Sequence, residues 1–107
     1  MFDKELLKGI LPVIIFKMLN DNGKMYGYKI TQTVKDLSCE KILIKEGSLY
    51  PALHKLKEAG FVEVETENIG KRVRHYYFLT EKGKIERKMR EAELRDFLQT
   101  VQKILAE

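Results

Sequence analysis

Two short stretches of this chain gather side chains that could recognise a polyanion. In EGSLYPALHKLKEAG, Glu46 to Gly60, Leu49, Leu53 and Leu56 recur at the spacing that stacks side chains on one face of a helix. That face reads as buried. The helical wheel sends Gly47, Pro51, His54, Lys55 and Glu58 to the opposite side, with Tyr50 and Lys57 on one flank and Ser48 on the other. Small, flat residues at a helix start permit another surface to approach closely, and the free N–H groups there suit a phosphate. The second stretch, GKRVRHYYFLTEKG, brings Lys71, Arg72 and Arg74 together in an expected hairpin loop. Cations gathered in this way neutralise neighbouring phosphates, whereas the same cations scattered over a surface would not. Covalent and acid–base chemistry find no comparable constellation. There is no paired carboxylate site, no nucleophile with a base and no phosphate-cradling loop, and GSLY lacks the second glycine of a nucleophile elbow. The chain is not expected to be an enzyme or to need a cofactor.

Composition sets the limits of this reading. At 107 residues, 44% hydrophobic and 34% charged, the chain has room for one core and the make-up of a folded domain. Its net charge of +4 is modest, so the placement of the cations matters more than their number. One cysteine, Cys39, cannot form an intrachain disulfide, and no Cys/His cluster has the spacing of a metal site. Cys39 reads as an inert small side chain and His75 as a structural histidine. The longest apolar run, Val13 to Phe16, is far too short to span a bilayer. A cytoplasmic protein without membrane contact is expected.

The elements that must position the two stretches follow from periodicity. In LLKGILPVIIFKMLN, apolar residues from Leu7 to Leu19 mark an amphipathic helix, and Pro12 places its main part from about Leu11 to Asn20, with residues 3 to 8 as a separate arm jointed near Gly9. Asn20 to Gly23 reads as a turn. A second helix opens at about Tyr26, with Tyr28 or Ile30 and Val34 inward and Lys29 and Gln32 outward. SCEKILIKEG suggests a very short strand at Ile42 to Ile44. The Glu46 helix follows, with Pro51 in its first turn and Gly60 as its terminator. FVEVETE and RVRHYYFLT read as antiparallel strands joined by NIGK or a slightly longer loop. Thr80 caps a final helix in which Ile85, Met89, Ala92, Leu94, Phe97, Leu98, Val101, Ile104 and Leu105 form one apolar stripe. The core should cover only its beginning, near Ile85 and Met89, and an uncovered stripe invites a partner helix.

The order is helix, helix, short strand, helix, hairpin, helix: a mainly α (α+β) winged helix-turn-helix with a two-stranded wing. Residues 1–80 would form the DNA-binding part and 81–107 a dimerisation helix packed into the same compact domain. GSLYPALHKLKEAGFV and GKRVRHYYFLTEKG, with YGYKI upstream, resemble the PadR family of winged-helix transcriptional regulators over positions 26 to 83. The resemblance implies a homodimeric DNA-binding regulator, usually a repressor, in which the last helix packs against the partner. The DNA-contacting set is then Tyr26, Lys29, Gly47, Ser48, Tyr50, Pro51, His54, Lys55, Lys71, Arg72 and Arg74, with an inverted repeat as the operator. Leu7, Leu11, Ile14, Leu94, Phe97, Leu98, Val101, Ile104 and Leu105 are assigned to the dimer. Some short members of the family bind planar drugs between subunits by means of an aromatic residue on the last helix. A small hydrophobic effector would here be lined by Ile15, Met89, Ala92 and Phe97, although the chain has no Trp and aligns Leu94 with the family's aromatic. The competing class is a winged-helix protein-interaction module, which typically loses the basic wing that this chain retains.

Overall fold

A computed structural model describes residues 2–106. Its elements are α1 (Lys4–Asn22), β1 (Met25–Tyr26), α2 (Gly27–Leu37), α3 (Glu46–Glu58), β2 (Val62–Ile69), β3 (Arg72–Leu79) and α4 (Glu81–Leu105). The strands form one antiparallel sheet in the order β1-β3-β2. This is a winged helix: α1, α2 and α3 enclose a core against one face of the sheet, and the β2–β3 hairpin extends past it.

Helix α1 is continuous through Pro12, and the expected break near Gly9 is absent. Pro12 withholds the N–H that would bond the Lys8 carbonyl, but Lys8 is exposed, so water can satisfy that oxygen. Burial of Leu11, Ile15, Phe16, Met18 and Leu19 along the rest of the helix offsets the loss. Asp3 caps its start by accepting from the Glu5 N–H at 2.8 Å. Its end runs two residues beyond Asn20, because a Lys17–Asp21 ion pair at 3.2 Å and a bond from the Asn22 amide to the Met18 carbonyl support a last turn. The reversal falls at Gly23, whose φ of +72° suits glycine.

The short strand expected at Ile42 to Ile44 is not formed. That segment is an irregular connection whose Ile42 and Ile44 rest against the core. The third strand is Met25–Tyr26, paired with Tyr77 and Tyr76 of β3. In α2, Ile30 and Val34 are buried while Tyr28 faces outward. The α3 terminus is a Schellman motif: Phe61 N–H bonds to the Leu56 carbonyl, Gly60 N–H to that of Lys57, and Gly60 has φ +83°.

Helix α4 packs along α1, but not by a continuous apolar stripe. Ile85 and Met89 are 64% and 60% exposed; Ile85 lies on nearly the opposite side from the positions covered by the domain, Gly83, Glu86, Arg87, Arg90 and Leu94, and Met89 lies off to one side of them, at the rim facing α1. The covered face is built from ion pairs, Arg87 with Glu91 and Arg90 with Glu86. The Arg90 guanidinium also stands over the rings of Phe16 and Phe61 at 5.3 and 5.6 Å. Long Arg stems cover apolar surface while their heads pair, so the start of α4 docks without apolar knobs. Beyond Leu94 it leaves the body of the domain, and the molecule with this helix measures 57 Å along its longest axis.

The start of α4 is stitched to the end of α3. Thr80 Oγ1 accepts from Gly83 N–H at 3.0 Å and donates to the Gly60 carbonyl at 2.7 Å, and Lys82 Nζ donates to the Ala59 carbonyl at 2.9 Å. Gly83 approaches the Phe61 backbone so closely that a Cβ there would lie 2.0 Å from the carbonyl oxygen. The sequence TEKG is therefore a joint as well as a cap.

Candidate nucleic-acid interface

Helix α3 presents the open face expected of it. Leu49, Leu53 and Leu56 are buried, and Gly47, Ser48, Pro51, His54 and Lys55 are all exposed. Lys45, at the cap, offers no side-chain bond, and the first internal bonds start at Ser48 and Leu49, so the Glu46 and Gly47 N–H groups remain free. Pro51 lies in the second turn rather than the first. It deprives the Gly47 carbonyl of its N–H partner, which leaves one more free polar group on the open face. His54 Nε2 pairs with Glu58 at 2.8 Å, one turn along the same face.

Tyr50 has a structural neighbour that periodicity did not reveal. Tyr50 is 41% exposed and its ring lies over Gly27, where an added Cβ would stand 2.4 Å from the tyrosine oxygen. Gly27, the first residue of α2, thereby fixes where Tyr50 can lie. The glycine in YGYKI was the available signal. Lys29 is exposed in the first turn of α2, while Tyr26 sits before that helix as its cap and as a strand residue.

The hairpin turns on two residues, Gly70 and Lys71, with Gly70 at φ +61°. This is tighter than the expected loop, so only Lys71 lies at the tip. Arg72 is the first residue of β3, paired with Ile69, and Arg74 lies two residues inside the strand, paired with Glu67. Alternation divides the wing into two faces. Val62 and Leu79 mark the core side, which continues outward through Thr66, Asn68, Val73 and His75. The outer side carries Glu63, Glu65 and Glu67, with Tyr76 and Arg74 opposite the last two. On that acidic side the Arg74 guanidinium stacks over the Tyr26 ring at 4.2 Å and reaches the Tyr76 hydroxyl at 3.5 Å. The Tyr76 contact holds its pKa above the ordinary arginine value. Tyr26 and Tyr76 meet edge to face at 5.7 Å, and Lys24 lies 5.3 Å from the Tyr76 ring centre while pairing with Glu65 at 2.7 Å. Lys24 was not anticipated; its partner lies 41 positions away, so no local pattern points to it.

The residues assigned to a dimer or an effector are more dispersed. Leu11 and Ile15 are enclosed in the core, so Ile15 cannot line a cavity at the surface. Leu7 and Ile14 are half-buried. A groove of about 670 Å³ runs between α1 and α4, lined among others by Leu6, Ile10, Val13, Met89, Leu94 and Phe97; Ala92 is exposed outside it. Phe97, Leu98, Ile104 and Leu105 are exposed and Val101 is half-buried. No helix among the described residues is long and apolar enough to cross a membrane.

An open recognition-type helix beside a basic-tipped wing defines a winged-helix DNA-binding regulator of transcription. Residues 15–89 match the transcriptional regulator PadR-like family, and the chain belongs to that family. Solved structures agree in fold. A transcriptional regulator from Clostridium thermocellum superposes with a TM-score of 0.88 over 99% of this chain and 100% of its own, at 24% identity. A PadR family transcriptional regulator from Eggerthella lenta gives 0.82 at 29% identity, covering 94% and 86%. A PadR-like transcription factor from Bacteroides fragilis gives 0.76 at 30% identity, covering 94% of each chain. The chain is thus a DNA-binding regulator and not an enzyme.

Proposed function

We propose that this regulator is a cytoplasmic repressor that binds an inverted-repeat operator as a homodimer, with residues 1–80 contacting DNA and 81–107 holding the dimer. The observation that carries the reading is the pairing of an α3 face free of its own core with a wing tip that stands clear of the domain. Gly47, Ser48 and Pro51 let α3 enter the major groove, Tyr50, His54 and Lys55 face the bases and their flanks, and the free N–H groups of α3 suit a phosphate. Lys29 lies beside that helix and extends the phosphate-facing surface. Lys71 and Arg72 at the wing contact the backbone alongside.

The dimer reading is supported by the far half of α4. Phe97, Leu98, Ile104 and Leu105 expose an apolar stripe that the subunit has nothing to cover, and the α1–α4 groove is open beside it. A twofold partner supplying the same helix buries both surfaces and sets two α3 helices roughly 34 Å or a multiple apart. Met89 and Phe97, on the groove, are the side chains that an apolar effector would meet.

Sequencing the host DNA that the protein captures identifies the operator. Binding to that operator is then measured against salt concentration. Lys71→Ala with Arg72→Ala lowers affinity on all sequences and reduces the slope by up to roughly 2 for each subunit bound. Unchanged affinity and slope would remove the wing from the interface.

A further inference from the structure

We propose that Arg74 and Tyr26 serve as positioning residues that brace the wing against the start of α2, and through it against α3, without contacting DNA. The inference rests on the reading that the wing tip meets DNA, and it explains how the tip is held there. Beyond the pair Glu65–Tyr76 the hairpin has no third strand among the described residues, and Val73 and Ile69 are exposed, so nothing in the core fixes the direction of its distal half. Strand β1 pairs with β3 at only two residues, Met25 with Tyr77 and Tyr26 with Tyr76. Arg74 extends this attachment outward by one step on the same face, its guanidinium carbon standing over the Tyr26 ring 4.2 Å from its centre.

The chain of contact then continues inward. Tyr26 is the cap residue of α2, Gly27 follows it, and Tyr50 of α3 lies on Gly27. A wing bound to Tyr26 is therefore referenced to the residue that also seats the α3 tyrosine. Two observations separate Arg74 from the phosphate-binding cations. On the same outer face Arg72 stands opposite Ile69 at the end of the hairpin, whereas Arg74 stands opposite Glu67, with Glu65 next along that face. One of the Arg74 N–H groups also donates to the Tyr76 hydroxyl at 3.5 Å, and its guanidinium carbon stands over the Tyr26 ring at 4.2 Å.

The test uses the full chain with Arg74→Gln, Tyr26→Leu and the double variant, and Tyr26→Phe as the variant that keeps the ring and the fold. Backbone amide relaxation of Asn68 to Val73 is measured in the free protein, and affinity for a mixed-sequence duplex of about 30 base pairs is measured against salt. Arg74→Gln and Tyr26→Leu each loosen the distal hairpin and lower affinity roughly tenfold at an unchanged salt slope, the double variant loses no more than either, and Tyr26→Phe matches the wild type. Arg74→Gln replaces a surface side chain, so its result stands even where Tyr26→Leu fails to fold. A slope reduced by about 0.9 per subunit in Arg74→Gln identifies a phosphate contact and overturns the proposal. Unchanged order of Asn68 to Val73 in Arg74→Gln overturns it as well. The relaxation arm needs no DNA, so it decides the brace even where Lys71→Ala with Arg72→Ala shows that the wing does not touch the duplex.

Discussion

Gly83→Ala sets a favourable local effect against an unfavourable tertiary one, and the structure decides between them. In a helix, alanine gains about 1 kcal/mol over glycine. At this site its Cβ would stand 2.0 Å from the Phe61 carbonyl oxygen and 3.0 Å from the carbonyl carbon. Both are backbone atoms, so no side-chain rotation relieves the overlap, and the start of α4 must retreat by more than about 1 Å to reach van der Waals distance. That retreat strains the bonds from Thr80 N–H to Phe61 at 3.1 Å, Thr80 Oγ1 to Gly60 at 2.7 Å and Lys82 Nζ to Ala59 at 2.9 Å. With about 1 kcal/mol for each of these three bonds and about 1–3 kcal/mol for overpacking, less the helical gain, the variant loses roughly 3–5 kcal/mol. For a chain of this size the midpoint of thermal unfolding falls by at least about 10 °C. Circular dichroism at fixed protein concentration measures it, with Gly9→Ala as the control, since a Cβ at Gly9 meets nothing within 4 Å. A Gly83→Ala midpoint at or above that of the wild type would refute the close approach and the joint built on it.

In Gly27→Ala the atoms nearest the new Cβ all belong to the far end of the Tyr50 ring, so the fold should persist while the displaced tyrosine lowers operator preference by ~1 kcal/mol, read by competition anisotropy; unchanged preference would take Tyr50 out of DNA recognition. Gly47→Ala has open space around it and should gain up to about 1 kcal/mol in denaturant unfolding, yet bind DNA more weakly because the new methyl occupies the open face of α3. Equal or tighter DNA binding by Gly47→Ala counts against close approach at that residue. Leu98→Asp with Val101→Asp should place charges in the α4 seam and yield monomers in sedimentation at micromolar concentration. A wild type that sediments as a monomer, or a double variant that remains dimeric, contradicts the proposed dimer.

Local pattern alone determined much of this protein. The leucine spacing of α3, the terminating Gly60, the alternating β2 and the Thr80 cap each depend on neighbours within a few positions, where periodicity and turn chemistry act, and each is found in the structure. The open face of α3 follows from the same periodicity, since burying three leucines on one side leaves Gly47 and Pro51 on the other. Where long-range contacts compete with local preference, the tertiary structure decided. Pro12 argued for a break that burial of α1 overrode, and β1 formed at Met25–Tyr26 because β3 was available to pair with it. The apolar positions of α4 read as one stripe because a wheel shows which residues share a face but not which face meets the domain. Paired arginines and glutamates took that contact and left Ile85 and Met89 outside. Arg74 shows the same limit at the site itself: its charge was legible in GKRVRHYY, but only the fold, by bringing Tyr26 across from 48 positions away, determined where that charge is directed.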